Sequence, residues 1–398
     1  MSEIRWHTGY QMVLVPGAHD VDKQLTKEIH YILKNEFKMS GVNIVTTQRD
    51  NPKTDKYHRK EQQSHVLGQF PVGEARHDSG KATLSEFTNK EAVYFITHPY
   101  NHSLNVDVET TIAQICLFGR TIIKGNYGVG QLSLVTPIGP YDLNHSFKRN
   151  RGEGLIESES LPWYLERVGK SGFNEIITIT SHSSKTEEIA KDLGIYFRDI
   201  DAFRFRVPSG QLGPFCYEQP GNKRRRNDFQ EQIAKMIPFV TYLKSISEQK
   251  RDNIYIAATD EGSADLARKL AFSLWDDDRH VLLIEKERAG AGKSKIIGVD
   301  TQRSTASLDE LIDKTIIMPD DRRLSGGTTN DLAIDLKENY RVAKVIALIP
   351  HDMSYNANFK DHTAIDELVF LETNPNSALR GKNDRIIRLP ISTTALLL

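Results

Sequence analysis

Ten short, nearly continuous apolar runs punctuate this chain. They lie at 12–15, 42–45, 92–97, 132–135 and 175–180, and again at 253–259, 280–284, 315–318, 343–349 and 367–371. Each is four to seven residues long and bounded by polar, Gly or Pro residues, the signature of a strand covered on both faces in a parallel sheet. Helical periods fall between the runs. Ala267, Leu270, Ala271 and Leu274 repeat at i, i+3, i+4 and i+7, and Val108, Ile112 and Ile115 follow a candidate cap at Asp107. Strand, helix and strand, repeated in two blocks, predict an α/β protein of two tandem domains, each a mostly parallel sheet flanked by helices. The expected division is 1–201 for the first domain, an irregular Pro/Gly and basic stretch at 202–228, 229–375 for the second domain, and a C-terminal tail at 376–398.

Charge and composition narrow the function classes. Lys and Arg number 52 and Asp and Glu 53, so the chain has no global electrostatic footprint for nucleic acid, and the Lys223–Arg226 run reads as a solvated loop. Two cysteines cannot build a disulfide scaffold or a Cys-rich zinc site. No apolar segment approaches the ~18 residues of a membrane span, and the first residues lack a leader pattern, so a cytoplasmic location without a membrane partner is expected.

In open α/β sheets ligands gather beyond the carboxyl ends of the strands, so the residues after each run carry the chemistry. The run at 315–318 leads into Asp320 and Asp321 and then Ser325, Gly326, Gly327, Thr328 and Thr329, with a helix from about Asn330. Paired acids suit vicinal sugar hydroxyls, and a Gly-rich turn opening a helix presents backbone N–H groups to a phosphate. The run at 253–259 leads into Asp260, Glu261 and Gly262, and the run at 175–180 into Ser181, His182 and Ser183. The run at 280–284 leads into Lys286 and Arg288, two residues apart and so on one face of an extended segment, suited to charge building on a phosphoryl group. Ala291–Ser294 mimics the end of a P-loop, but Glu287 stands where the first Gly belongs, so 289–295 reads as a mobile Gly/Lys flap.

In this order and spacing the junctions resemble ribose-phosphate pyrophosphokinase, the phosphoribosyl pyrophosphate synthetase family, whose two domains each have the phosphoribosyltransferase-type fold. Phe70 to Glu74 is similar to the family's F-P-D-G-E segment, which holds ATP across a subunit interface. Ile177 to His182 resembles the strand ending in D-L-H, whose His meets ATP phosphates and magnesium. Asp260 to Gly262 falls on P-D-x-G-G, Lys286 and Arg288 on the outer positions of the catalytic K-R-R, and Asp320 to Thr328 on the ribose-phosphate loop D-D-M-I-D-T-G-G-T. The resemblance implies Lys286, Arg288 and His182 as catalytic residues, and Phe70, Glu74 and His182 as ATP contacts. It implies Asp320, Asp321, Ser325, Gly326, Gly327, Thr328 and Thr329 as ribose-phosphate contacts, His182 and Asp260 near Mg2+, ATP as co-substrate and a homo-oligomer.

Several positions depart from that pattern. Val72, Thr180 and Leu324 each replace a family Asp, and the family's Y-A-R-Q-D-R segment has become Tyr141 to Ser146. The implied reaction moves the β,γ-diphosphate of Mg-ATP to the anomeric hydroxyl of a ribose 5-phosphate moiety and releases AMP. Leu324 alters the surroundings of the 5-phosphate, so two acceptors stay open: ribose 5-phosphate itself, and ADP-ribose, as in a phage branch that makes ADP-ribose pyrophosphate in rebuilding NAD. Phe203, Phe205, Phe215 and Tyr217, beside the basic run, would then offer a stacking surface for an adenylate. The rivals are a phosphoribosyltransferase, against which Lys286 and Arg288 speak, and a non-catalytic regulatory homologue of the synthetase.

Overall fold

A computed structural model describes residues 10–17, 20–35, 39–45, 47–49, 65–69, 75–79, 86–99, 108–141, 159–203, 238–247, 251–275, 277–288, 294–323, 326–353, 364–374 and 385–391. They form two compact units, the first ending at Ile200 and the second beginning at Asp201.

The sheet of the first unit is built from β1 (Met12–Pro16), β2 (Val42–Ile44), β6 (Ala92–Ile96), β7 (Gln131–Val135), β8 (Glu175–Ile179) and β9 (Tyr196–Ile200). All six pair in parallel, in the order β2-β1-β6-β7-β8-β9. The crossovers carry α1 (Asp20–Asn35), α2 (Val108–Gly125), α3 (Ser160–Lys170) and α4 (Ser184–Asp192), while β3 (Thr47–Arg49), β4 (His65–Gln69) and β5 (Ala75–Ser79) form a separate three-stranded sheet. The period-2 alternation of the strands sends Val13, Val93, Phe95, Leu132, Leu134 and Ile176 to one face, where Ile115 and Phe118 of α2 and Leu165 and Val168 of α3 meet them. Phe95 and Phe118 stack with ring centroids 4.6 Å apart. The neighbouring positions Tyr94, Ser133 and Glu175 are in register across three strands. There the buried Glu175 forms an ion pair with Arg198 of β9, its Oε1 standing 2.7 Å from Nε, and its Oε2 accepts from Ser133 Oγ at 2.5 Å, so a strand that reads as apolar in sequence carries half of a buried ion pair.

The second unit holds α5 (Pro238–Ser247), β10 (Ile254–Ala258), α6 (Glu261–Trp275), β11 (Val281–Arg288), β12 (Ser294–Val299), β13 (Thr315–Pro319), β14 (Arg322–Arg323), α7 (Gly327–Tyr340), β15 (Lys344–Ile349), β16 (His351–Asp352), β17 (Glu367–Leu371) and β18 (Ile386–Leu389). Its seven-stranded sheet runs β12-β11-β10-β13-β15-β17-β18 and is parallel except at the edge, where β12 returns antiparallel to β11. Tyr255, Leu282, Ile316, Met318, Val345 and Ala347 pack on one side with Leu332, Ala333 and Leu336 of α7.

The expected class, α/β with mostly parallel sheets flanked by helices, is the class observed. Four local expectations are corrected. Ser294 and Lys295, read as part of a mobile flap, belong to β12, because Lys286 to Arg288 continue as strand and template a partner. Part of the expected tail forms β18, which pairs with β17 from Ile386 to Leu389. Ala202 and Phe203, read as irregular insertion, are buried in the second unit, where Phe203 packs on Phe239 with centroids 5.4 Å apart. Phe203 therefore offers no stacking surface to a ligand. Arg204, Phe205, Arg206, Phe215, Tyr217 and the 223–226 run lie outside the described residues, as does the cap expected at Asp107.

Both sheets reverse direction at one place. From β1 the chain moves to β2 on one side, then resumes with β6 on the other; from β10 it moves to β11, then resumes with β13. The crevice beyond the carboxyl ends at such a reversal is where open α/β sheets hold ligands.

Candidate functional site

At the reversal of the second unit, β10 delivers Asp260 and β13 delivers Asp320 and Asp321. Asp260 opens α6: its Oδ1 accepts from Ser263 N at 2.9 Å, while Ser263 Oγ accepts from the backbone N of Thr259 and Asp260 at 2.9 and 3.1 Å. This reciprocal cap fixes one carboxylate oxygen of Asp260 and the angle at which the helix leaves the strand. Asp320 N donates to Leu348 O at 3.0 Å, continuing the β13–β15 pairing, and Asp320 Oδ1 accepts from Asp321 N at 2.9 Å.

The three acids sense one another. Burial, followed by the charges of Asp321 and Asp260, pushes the Asp320 carboxyl well above the ordinary carboxylate range. A group of acids held in this way takes up positive charge. Among the described residues no three His, Cys, Asp or Glu side chains form a ready-made metal cage. One or two carboxylates completed by substrate phosphates is how Mg2+ is usually bound, and Asp260, Asp320 and Asp321 supply that kind of donor set.

Beyond Asp321 the chain forms a two-residue parallel pairing of β14 with β16, Arg322 opposite His351 and Arg323 opposite Asp352. His351 N donates to Asp321 O at 3.3 Å and Met353 N to Arg323 O at 2.8 Å. Arg322 Nε stands 3.7 Å from Asp321 Oδ2, Arg323 Nη1 stands 3.8 Å from Asp352 Oδ1, and the Arg323 guanidinium lies 5.8 Å above the Phe370 ring. His351 is held by Thr373 Oγ1 at 2.9 Å, and Asn374 Nδ2 donates to Asp352 O at 2.8 Å. The acids thus sit on a floor of buried, ion-paired side chains.

The loop re-enters the described residues at Gly326, which takes the left-handed conformation (φ 70°, ψ 9°) that a residue with a Cβ rarely adopts. Helix α7 starts there with no side-chain cap from Gly326 itself, and the positive end of its dipole lies at this turn. Gly327 is half-buried, Thr328 exposed and Thr329 buried. The next residue, Asn330, is 6% exposed, and its Oδ1 has no hydrogen-bond partner among the described residues.

Lys286 is half-buried on β11, and the antiparallel register sets Lys286 opposite Ile296 and Arg288 opposite Ser294, after an irregularity between Glu285 and Lys286. His182 belongs to the first unit, at the carboxyl end of β8. Thr180 before it has φ +45°, Ser181 N donates to Asp199 Oδ1 at 2.9 Å, and Ser183 caps α4 by accepting from Lys185 N at 3.1 Å. His182 is exposed between these two fixed hydroxyl residues. Of the expected contacts, Asp260, Asp320 and Asp321 are brought together, Gly326 to Thr329 form the helix start beyond them, and Lys286 and Arg288 stand on the hairpin at the edge of the same sheet. Phe70, Glu74, Leu324 and Ser325 lie outside the described residues.

Two constellations escaped the sequence reading. At the reversal of the first unit, Asp22 Oδ1 on α1 accepts from His98 N at 2.9 Å and lies 2.7 Å from His98 Nδ1, with both side chains buried. A Cβ at Gly17 would stand 2.4 Å from Asp22 Oδ2, so a Gly directly after the first strand was the available signal. The pairing of Arg322 and Arg323 with a short strand after β15 had no signal beyond the acid at Asp352.

No family model matches the sequence, and a search of curated proteins finds no match. Among solved structures the fold is similar to the phosphoribosylpyrophosphate synthetase from Mycobacterium smegmatis, with a TM-score of 0.63 at 15% sequence identity, over 97% of this chain and 96% of that one. The likeness establishes the α/β fold that this chain shares with that protein.

Proposed function

We propose that the protein is a diphosphotransferase. It moves the β,γ-diphosphate of Mg-ATP to the anomeric hydroxyl of a ribose 5-phosphate moiety and releases AMP. The observation that carries this reading is the convergence, at the reversal of the second unit's sheet, of Asp260, Asp320 and Asp321, followed by the glycine start of α7. The two acids after β13 suit the vicinal hydroxyls of a ribose, and a glycine-led helix start beyond them, with its positive end of the helix dipole, suits its 5-phosphate.

Lys286 and Arg288 would neutralise charge on the transferring diphosphoryl group, and Asp260, Asp320 and Asp321 would hold Mg2+, whose charge would offset the repulsion among them. Asp260 is proposed to lie near that magnesium, and Phe70, Glu74 and His182 to contact ATP. In the reaction the acceptor's anomeric oxygen bonds to the β-phosphorus, the bond between β-phosphorus and the α,β-bridging oxygen breaks, and AMP leaves. A cytoplasmic homo-oligomer belongs to the same proposal.

The acceptor is either ribose 5-phosphate or ADP-ribose, which present the same reacting ribose. The test is AMP release from ATP with each in turn. Release with one or both supports the reading, and the ratio of catalytic efficiencies assigns the acceptor. Release with neither, from protein that binds ATP, overturns it in favour of a non-catalytic homologue.

A further inference from the structure

The hairpin of β11 and β12 closes one edge of the second unit's sheet, and among the described residues no further strand pairs with the outer row of β12 backbone amides. Such edges are normally protected by something. Here two carboxylates of α7 do so: Ser294 N donates to Asp331 Oδ2 at 3.1 Å, and Ile296 N donates to Asp335 Oδ2 at 2.6 Å. The match is geometric. Two residues along a strand advance ~6.6 Å, and four residues along a helix advance ~6 Å on one face. Acids at i and i+4 of a helix therefore meet alternate amides of a strand lying along it.

The register gives the contact its meaning. Ser294 is the residue opposite Arg288, and Ile296 is the residue opposite Lys286. Each clamped amide thus sits across the ladder from one of the two cations. At its other end α7 begins at Gly326 and Gly327, the start of the acceptor loop. Asp335 is 7% exposed, and its second oxygen accepts from Asn339 Nδ2. A carboxylate buried in mid-helix is costly unless its hydrogen bonds are made, so a role in packing alone would be better filled by an apolar residue.

We propose that Asp331 and Asp335 are positioning residues: by holding β12 they tie the hairpin, and through its ladder the strand carrying Lys286 and Arg288, to the helix proposed to face the acceptor phosphate, so that cations and acceptor are placed by one rigid piece. The inference rests on the proposed function for what the cations do, but the clamp itself is testable without activity.

The experiment uses the full chain and the variants Asp331→Ala, Asp335→Ala and Asp335→Asn. In the absence of substrate, hydrogen exchange at the Ser294–Ile296 amides is expected to accelerate ~10-fold or more in the two Ala variants, with exchange in β10 and β13 unchanged. In turnover, kcat for AMP release is expected to fall ~10- to 100-fold, with KM for ATP and acceptor within ~3-fold, because a misplaced cation is felt in the transition state. Asp335→Asn, which retains an accepting oxygen, should recover part of both losses. Unchanged exchange at 294–296 in folded Ala variants overturns the clamp. Faster exchange with kcat unaltered overturns its positioning role. If Asp335→Ala does not fold, Asp331→Ala, at a half-buried position, decides alone. If the wild-type chain releases no AMP, the functional reading fails and the exchange comparison still decides whether the hairpin is tied to α7.

Discussion

Replacing Asp352 with Asn tests the floor beneath the candidate site. The Arg323 and Asp352 side chains are 1% and 2% exposed and 3.8 Å apart, and Arg388 Nη2 reaches the other Asp352 oxygen at 4.0 Å. Burial pulls the Arg323 guanidinium down from its ordinary value to about 10 even with Asp352 opposing the fall. At ~1.36 kcal/mol per tenfold change in proton affinity, holding that charge inside already costs about 3 kcal/mol. Asp352→Asn removes the opposing charge while leaving the guanidinium buried, and breaking such a pair typically costs ~3–5 kcal/mol. The double variant Arg323→Met with Asp352→Leu removes both charges and should recover most of that loss.

Because a chain of two units need not unfold in one step, the assay is hydrogen exchange of the β15 and β17 amides under native conditions, read as the free energy of opening. The single variant should open the second unit's sheet several kcal/mol more easily than the double variant does. A change below ~1 kcal/mol for Asp352→Asn, or a double variant no better than the single, would refute the reasoning that Asp352 offsets the buried charge.

Three further outcomes are expected. The Asp320 carboxyl is raised by burial and by Asp321 and Asp260, so folding is opposed once the unfolded chain ionises at this position. Asp320→Asn should therefore stabilise the substrate-free protein at neutral pH, the gain fading as pH falls through the ordinary carboxylate range, while acceptor binding weakens; thermal melts from pH 3 to 8 check the sign. Lys286→Ala should cut turnover by roughly 10²-fold or more with little change in the unfolding midpoint, and near-normal turnover in the folded variant would remove Lys286 from the catalytic set. Asp321→Asn should weaken acceptor binding far more than ATP binding by calorimetry; equal losses would mark both acids as structural.

The strands were legible wherever burial on both faces forced a continuous apolar run, and all ten runs lie in strands of the two sheets. The short pieces escaped. Arg322–Arg323 and His351–Asp352 pair as strands through tertiary contact and ion pairing, which no period records. Ser294 and Lys295 read as the end of a Gly/Lys flap, yet the extension of β11 through Arg288 and the carboxylates of α7 hold them in the edge strand β12.

The candidate site was legible where polar residues sit directly after a strand: Asp260, Asp320 and Asp321, which the structure brings together, all follow apolar runs. Asp22 and His98 were not, because their meeting depends on Gly17 admitting the carboxylate against a strand far away in sequence. The clamp through Asp331 and Asp335 was hidden for a similar reason. In sequence they are two polar residues of a helix, and only the register of β12 shows what they hold.

The central claim is transfer of an intact diphosphate. Phosphorus NMR of full-length protein with Mg-ATP and ribose 5-phosphate, and in a parallel sample ADP-ribose, reads it directly. The account predicts AMP and a ribose 1-diphosphate in equal amounts from at least one acceptor, with the diphosphate resonances coupled to each other and to the anomeric position. ADP or inorganic phosphate as the only new species, or no product from folded protein that binds both substrates, would contradict it.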